Sequence, residues 1–317
     1  RNKKIFNVMK FLKPKFWESR NNILAILLRP ISFLFYFLTA LRKSFINPRK
    51  FKIPIICVGN IYVGGTGKTP VSIMIANILK TNNKNPAIIK KYYKDHEDEH
   101  KLINNITNSL ILNKNRVAAV EKAERENFDV GILDDGFQDH SIKKTLNIIC
   151  FNNRQLIGNG LVFPAGPLRE RLSSLERAQI VIINGEKNKI FEEKILNISK
   201  NIKIFYSEYL PINIEQFKNK KLFAFAGIGN PNNFFELLSK YKLNVQKKIS
   251  FPDHYEIKKK EIELITEEAV NNNLDLITTE KDFYRVKDYG FKDLRYLKVD
   301  LKIEEKNKFI TEVLKHL

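Results

Sequence analysis

A mostly parallel α/β sheet with helices on both faces, joined to a second, smaller α/β domain and preceded by an apolar helix at a membrane interface, is the fold class this sequence predicts. Three observations predict it. Short apolar runs alternate with helix-period segments from residue 53 to residue 184. A second set of the same kind begins at residue 221. Residues 23–41 are almost wholly apolar between basic flanks. Continuous apolar strands alternating with helices imply parallel strands covered on both faces.

The front of the chain comes first. ILAILLRPISFLFYFLTAL (23–41) is about long enough to cross a bilayer, but carries Arg29 and Pro30 at its middle. An arginine at the centre of a membrane helix costs at least ~2.5–3.5 kcal/mol. Pro30 is expected to break or kink the helix. Lys13, Lys15 and Arg20 precede the run; Arg42, Lys43, Arg49 and Lys50 follow it. A helix lying in the interface accounts for these pieces best: Phe33, Phe35, Tyr36 and Phe37 enter the acyl boundary while the basic flanks meet anionic headgroups. A core helix and a true span are the alternatives. No small-residue cleavage site follows, so a signal peptide does not fit.

IPIICVG (53–59) is a buried strand, followed by a glycine-rich loop and a helix opened by Pro70. PAIIK (86–90), FDVGILDDG (128–136), TLNIICF (145–151) and AQIVIIN (178–184) are further strands; 98–106 and 116–126 are helices. The pattern lapses near residue 208 and resumes at KLFAFAGIG (221–229). The expected organisation is therefore an amphipathic segment over 1–52, a nucleotide-binding domain over 53–207 and a linker over 208–220. A smaller α/β domain over 221–302 and a C-terminal helix over 303–317 complete it.

Net charge is +20 and the pI about 9.7, which suits an anionic partner, although a Lys- and Asn-rich composition arises from base bias as well. The excess is concentrated at the front, where residues 1–52 carry 13 Lys or Arg against one acid, Glu18. No nucleic-acid motif is present, so nucleic acid is not expected as a partner. Cys57 and Cys150 lie in apolar strands without metal-ligand spacing, as core residues of a reducing cytoplasm would.

The chemistry is carried by GGTGKTP (64–70). The strict phosphate-loop pattern wants a glycine where Tyr62 stands, but Gly64, Gly65 and Gly67 supply the needed freedom. Residues Tyr62, Val63, Gly64, Gly65, Thr66, Gly67, Lys68 and Thr69 are the expected ATP cradle. Backbone N–H groups and a helix N-terminus face the phosphates, Lys68 reaches the β- and γ-phosphates, and Thr69 ligates Mg²⁺. DVGILDD places Asp134 and Asp135 at the end of an apolar strand, as the Mg²⁺-holding acids of a P-loop NTPase.

Two resemblances bear on which P-loop this is. Gly64–Thr69 resembles the deviant loop of the partitioning and division-site ATPases, membrane-associated nucleotide switches. Those carry a lysine just before the first of these glycines, where this chain has Val63. The other resemblance is closer. VGNIYVGGTGKTP (58–70), DDGFQ (134–138), GPLRE (166–170), FAGIGNP (225–231), FPDHY (251–255) and TTEKD (278–282) occur in that order. Together they resemble the tetraacyldisaccharide 4′-kinases, from the front helix to near residue 290.

That resemblance implies a P-loop domain with a smaller α/β domain. It implies transfer of the γ-phosphate of ATP, with Mg²⁺, to the 4′-hydroxyl of a lipid disaccharide 1-phosphate at the cytoplasmic face of the inner membrane. A monomer touching that anionic surface is expected. The family's catalytic acid maps to Asp98, with Asp95 as fallback, because this segment lacks the usual arginine-glycine-tyrosine-glycine run. His254 matches the histidine that pairs with this base. Arg116, Gln138, Arg169 and Glu170 are candidate contacts to the sugar and its 1-phosphate; ordinary ion pairing is their plainer role. The family places a histidine directly after DDGFQ, whereas here Asp139 stands there and His140 follows, so that histidine's role does not carry over. FAGIGNP serves equally well as a tight turn or as a ligand loop.

Overall fold

The computed structural model describes residues 14–93, 96–252 and 255–317. They form two compact units. The larger holds the described residues through Tyr92, then Ile106–Glu208 and Leu301–Leu317; the smaller holds Tyr93–Asn105 and Tyr209–Asp300.

Along the chain, α1 (Ile23–Ser44) is followed by β1 (Ile55–Gly59), α2 (Lys68–Thr81), β2 (Pro86–Lys91) and α3 (Glu97–Thr107). Next come β3 (Leu110–Asn113), α4 (Arg116–Arg125), β4 (Val130–Asp134), β5 (Leu146–Asn152), β6 (Ile180–Asn184), α5 (Lys189–Leu196) and β7 (Lys203–Pro211). The smaller unit adds β8 (Lys221–Ala226), α6 (Pro231–Lys240), β9 (Asn244–Ser250), α7 (Lys259–Asn271), β10 (Asp275–Thr279), α8 (Glu280–Val286) and β11 (Arg295–Leu297). β12 (Val299–Ile303) and α9 (Lys306–Leu314) follow.

Eight strands form one sheet in the order β12-β7-β6-β5-β1-β4-β2-β3, and from β3 across to β7 each neighbouring pair is parallel. The α/β expectation is met. Ile55, Ile56, Cys57 and Val58 of β1 are fully buried: β4 and β5 pair with the strand's two edges, and its alternating side chains lie under the layers that cover the sheet's faces. Burial pushes the Cys57 and Cys150 thiols up to about 11 and about 12, as inert core residues. The chain leaves β1 toward β2 on one side and crosses from β4 to β5 on the other. The carboxyl end of β1 is thus the point where strand order reverses, the place where ligands bind in open α/β sheets.

In the smaller unit β11, β10, β8 and β9 form a four-stranded parallel sheet. Its core is aromatic: Phe223 and Phe225 are fully buried, and Phe225 meets Phe251 edge to face at 6.2 Å.

Two local expectations are corrected. The stretch 208–220 is not free of structure: β7 continues to Pro211, and a 3₁₀ turn covers Ile214–Phe217. Mixed polarity in KIFYSEYLP hid an edge-proximal strand in which only Phe205, Tyr206 and Ser207 are buried. Pro30 does not end the first helix either, since α1 runs unbroken from Ile23 to Ser44. The carbonyl that Pro30 leaves without a helical donor belongs to Ile26, an exposed residue.

α1 touches the rest of its unit along one narrow edge, where Ala25 and Ser32 are buried. Ser32 Oγ donates to Val162 O and accepts from Ala165 N, each at 2.9 Å. Phe35 packs edge to face on Phe163, and Arg171 lies 3.8 Å over the Tyr36 ring. The remaining large side chains, among them Leu27, Phe33, Leu34, Phe37 and Leu38, are exposed.

Candidate active site

The chain leaves β1 at Gly59 and turns through residues 60–67 into α2. Gly67 caps that helix at φ +87°, a left-handed conformation that glycine adopts without strain. Pro70 falls in the first helical turn, where a missing N–H leaves no bond unmade. The loop is braced from two sides. Asn60 Nδ2 donates to Thr66 Oγ1 at 2.9 Å and to Gly64 O at 3.3 Å. Segment 167–169 is strapped along it: Val63 N donates to Pro167 O at 2.8 Å, and Arg169 N to Ile61 O at 2.7 Å. The same segment follows Val162 and Ala165, which hold α1.

β4 brings its terminal aspartates to this loop. Asp134 is fully buried and accepts from Thr69 Oγ1 and Ser72 Oγ, both at 3.1 Å. Its second partner type is a cation: Lys90, itself buried, donates to Asp134 Oδ2. The register of the sheet explains the pair, because Lys90 of β2 lies directly opposite Asp134 of β4. Asp135 then turns out of the strand at φ +59°. Its carboxylate accepts from Arg169 Nη1 at 2.9 and 3.1 Å and lies 3.8 Å from the Lys68 ammonium. Burial alone would raise the Asp135 carboxyl; Lys68 and Arg169 more than offset it and hold it below the usual carboxylate range.

The four candidate sugar contacts surround this pair. Arg116 Nη2 donates to Asp135 O at 2.7 Å, and its Nη1 to Asp139 at 3.4 Å. Gln138 Nε2 bridges Asn60 O at 2.9 Å and Glu170 Oε1 at 3.2 Å. Glu170 is also paired with Arg177. Arg116, Gln138, Arg169 and Glu170 are therefore brought together as one internally bonded rim. Asp139 caps its own turn by accepting from Ser141 N at 3.0 Å.

The donor set fits Mg²⁺. Thr69 Oγ1 lies 3.1 Å from Asp134 Oδ2 and Asp135 is the next residue, so hard oxygens converge there, and among the described residues no group of three or more His, Cys, Asp or Glu is placed to hold a metal as an all-protein cage. Mg²⁺ is ordinarily held by one or two carboxylates with waters and substrate phosphates, so this sparse set suits it.

The smaller unit holds a second ionic cluster. Asp98, in the first turn of α3, is buried and ion-paired with Arg285 of α8; Lys281 lies 3.8 Å away. Glu99 N donates to Asp98 Oδ1 at 2.8 Å. Burial raises the Asp98 carboxyl, but Lys281 and Arg285 outweigh it and hold it low. Arg285 is itself aimed by Asp282 at 2.8 Å and by Gly227 O at 3.2 Å. Asp282 is fully buried and accepts from Gly227 N at 2.9 Å and from Thr279 Oγ1 at 2.6 Å. A Cβ on Gly227 would come within 2.8 Å of Arg285 Nη1, so only glycine permits this approach. The FAGIGNP and TTEKD segments thus act together to hold Arg285 on Asp98.

His254 and the fallback Asp95 lie outside the described residues. Sequence reasoning gave no role to Asn60, Lys281 or Asp282, although they stand in the quoted motifs, and missed Ser72, Lys90 and Arg285. Ser72 carried a signal, sitting one residue past the P-loop's Pro70-Val71 in the first turns of α2; Lys90 stood only as the last residue of the expected strand 86–90.

Comparison with known proteins now bears on the chain as a whole. The profile of the tetraacyldisaccharide-1-P 4′-kinase family, LpxK, matches residues 24–317. The chain belongs to this family. It is 39% identical over 313 residues to the tetraacyldisaccharide 4′-kinase of Pelagibacter ubique, covering 97% of this chain and 98% of that one. It is 34% identical over 297 residues to the same-named protein of Rickettsia bellii, covering 89% and 91%. In fold it is similar to LpxK from Aquifex aeolicus, solved in complex with ATP. The TM-score is 0.72 at 24% identity, over 93% of this chain and 99% of that one. The kinase family and fold expected from the ordered motifs are both borne out.

Proposed function

We infer that this chain, as a member of that family, is an ATP- and Mg²⁺-dependent phosphotransferase acting on an alcohol. It moves the γ-phosphoryl group of ATP to the 4′-hydroxyl of a tetraacyldisaccharide 1-phosphate in lipid A biosynthesis. The observation that carries this reading is the joining of Lys68 and Thr69 to Asp134 and Asp135 in one bonded cluster, within a chain whose near-full-length relatives are named for the reaction.

The residues divide the work. Backbone N–H groups of residues 62–69 and the α2 N-terminus cradle the phosphates. Lys68 neutralises charge on the β- and γ-oxygens, and Asp135 keeps its ammonium aimed. Thr69, Asp134 and Asp135 would hold Mg²⁺, which when bound shields the phosphate charge during transfer. Arg116, Gln138, Arg169 and Glu170 orient the sugar and its 1-phosphate; the guanidinium fork suits a phosphate. A bond forms between the 4′-oxygen and the γ-phosphorus as the bond to the β-bridging oxygen breaks, releasing ADP. The hydroxyl proton passes to Asp98, with His254 as its partner. A carboxylate held ionised by Arg285 and Lys281 is a weak base, and that suffices because phosphoryl transfer asks mainly for positioning.

The exposed apolar face of α1 enters the cytoplasmic face of the inner membrane and brings the site to its lipid. The deciding assay supplies detergent-dispersed disaccharide 1-phosphate lipid and labelled ATP. Labelled lipid is expected, and its absence across several detergents would sink the reading. Removing residues through Ser44 is expected to release the protein from vesicles; unchanged sedimentation would refute the anchor.

A further inference from the structure

We propose that a basic pocket beside the end of α1, built from residues the kinase reaction does not use, binds the phosphate of an anionic membrane lipid headgroup. The pocket has a volume of about 460 Å³ and is lined by Lys43, Lys50, Lys143, Lys144, Arg177 and His140, with no carboxylate in its lining. That volume falls in the range of small-molecule sites, about 300–1,000 Å³, and leaves room for a headgroup around the phosphate.

Two features set the pocket apart from a solvated basic face. Its walls are fixed. Arg49 N donates to Ser141 O and Lys143 N to Arg49 O, each at 2.8 Å, which pins the chain leaving α1 against residues 141–143. Its charges are uncompensated. Among the described residues, Lys43, Lys50, Lys143 and Lys144 pair with no carboxylate; Lys144 donates only to the carbonyls of Phe137 and Asp139. Only Arg177 has an acid, Glu170. Four like charges around one cavity repel one another, and an anion with several oxygens relieves all four at once.

The titration of the lining supports this. His140 is pushed down to about 4 by burial first, then by Arg177 and Lys43, with Lys144 adding to the effect and Glu170 opposing it. Lys144 is lowered by burial, although Cys57 and Asp139 pull it back; Arg177 and Arg116 lower it further. The His140 shift reports burial first and then the positive field of Arg177 and Lys43, whereas the Lys144 shift reports burial.

Location selects the source of the phosphate. Lys43 lies in the last turn of α1, and Leu38, Leu41 and Phe45 around it are exposed. A bilayer that receives this apolar face places its headgroups at the end of the helix, where a basic residue is strengthened by the helix dipole. The site is distinct from the P-loop, whose lining shares none of these residues.

The test follows the His140 imidazole by NMR in the full chain, with the P-loop saturated by ADP. Probes are inorganic phosphate, then micelles containing short-chain phosphatidylglycerol or phosphatidylcholine. Phosphate and phosphatidylglycerol are expected to raise the His140 pKa, while phosphatidylcholine leaves it in place. Lys143→Glu and Lys50→Glu are each expected to weaken the response about tenfold by reversing one facing charge. Lys143→Glu should phosphorylate detergent-dispersed lipid at the parent rate, which separates this site from the kinase reading. No response of His140 to either anion, or an undiminished response in both variants, overturns the proposal. A response to phosphate without one to phosphatidylglycerol overturns the lipid as its source.

Discussion

Asp134 in the larger unit and Asp98 in the smaller are both buried carboxylates in ionic clusters, yet they are held in opposite ways. Asp134 takes two hydroxyl donors, Thr69 and Ser72, and a single lysine. Asp98 is gripped by a guanidinium that two further groups aim, with one lysine, Lys281, close by. Hydroxyls rotate and release at little cost, so Asp134 is bound in a way that a cation can take over. A planar fork fixed at both ends does not let go, so Asp98 is kept ionised and in one orientation. One cluster is arranged for exchange and the other for permanence.

The largest expected effect tests the first half of that contrast. Lys68→Met should lower kcat about 10²–10³-fold, the usual cost of removing one preorganised charge stabiliser. It should leave stability nearly unchanged, because Lys68 touches its nearest acid only at 3.8 Å. Asp134→Asn should match that loss of rate and also destabilise the fold by about 3–5 kcal/mol, since it breaks the buried ion pair with Lys90. Steady-state kinetics with denaturant midpoints separate the two. Asp134→Asn as stable as the parent would mean Lys90 is not held by this carboxylate.

The contrast also explains what could be read from sequence. The P-loop is contiguous: GGTGKT lies between a buried strand and a helix start, and each part is recognisable within about 20 residues. Asp134 was legible because two acids end an apolar strand 65 positions after Thr69 of the P-loop. Its partner Lys90 was not, since pairing them requires knowing that β2 lies beside β4 in that register. Arg285 and Asp98 are 187 positions apart, and nothing local to RVKDYG marks an arginine that reaches α3. Strands β3, β7 and β12 were missed for a related reason. They are short or mixed in polarity, although the alternation of Val299, Leu301 and Ile303 was a period-2 signal. The recognised motifs named residues of the second cluster, FAGIGNP and TTEKD, without indicating that they bond to each other.

The next effect tests permanence. Arg285→Met leaves Asp98 and Asp282 short of their fork. The expected destabilisation lies toward the lower part of about 3–5 kcal/mol, because Asp282 can take a proton. Its carboxyl is already raised by burial, only partly offset by Arg285. The pH dependence has a definite sign. The Asp98 pKa is depressed in the fold, so its contribution is present above the ordinary value of 3.8 and is lost as pH falls through the folded value. The deficit of Arg285→Met should therefore be greatest near neutrality and shrink in acid. If Asp98 accepts the hydroxyl proton, the acid limb of kcat should move up in this variant, because the guanidinium that holds the carboxyl low is gone. A limb that stays in place while stability falls would leave Asp98 a structural anchor and move the base elsewhere.

The smallest effect concerns the brace of the exchangeable cluster. Asn60→Ala removes the donor that ties Thr66 and Gly64 into the P-loop. It also removes Asn60 Oδ1, a buried acceptor that has no partner among the described residues. The two changes oppose each other, since a lost hydrogen bond costs about 0.5–1.5 kcal/mol and an unsatisfied buried acceptor costs a similar amount while present. Stability should therefore move by less than about 1 kcal/mol. Preorganisation is lost without any such offset: the loop must now be ordered by the nucleotide itself, and the KM for ATP should rise several-fold while kcat holds. If KM is unchanged, the strap from residues 167–169 suffices to shape the loop; if kcat falls with it, Asn60 acts on the transferred phosphate rather than on the cradle.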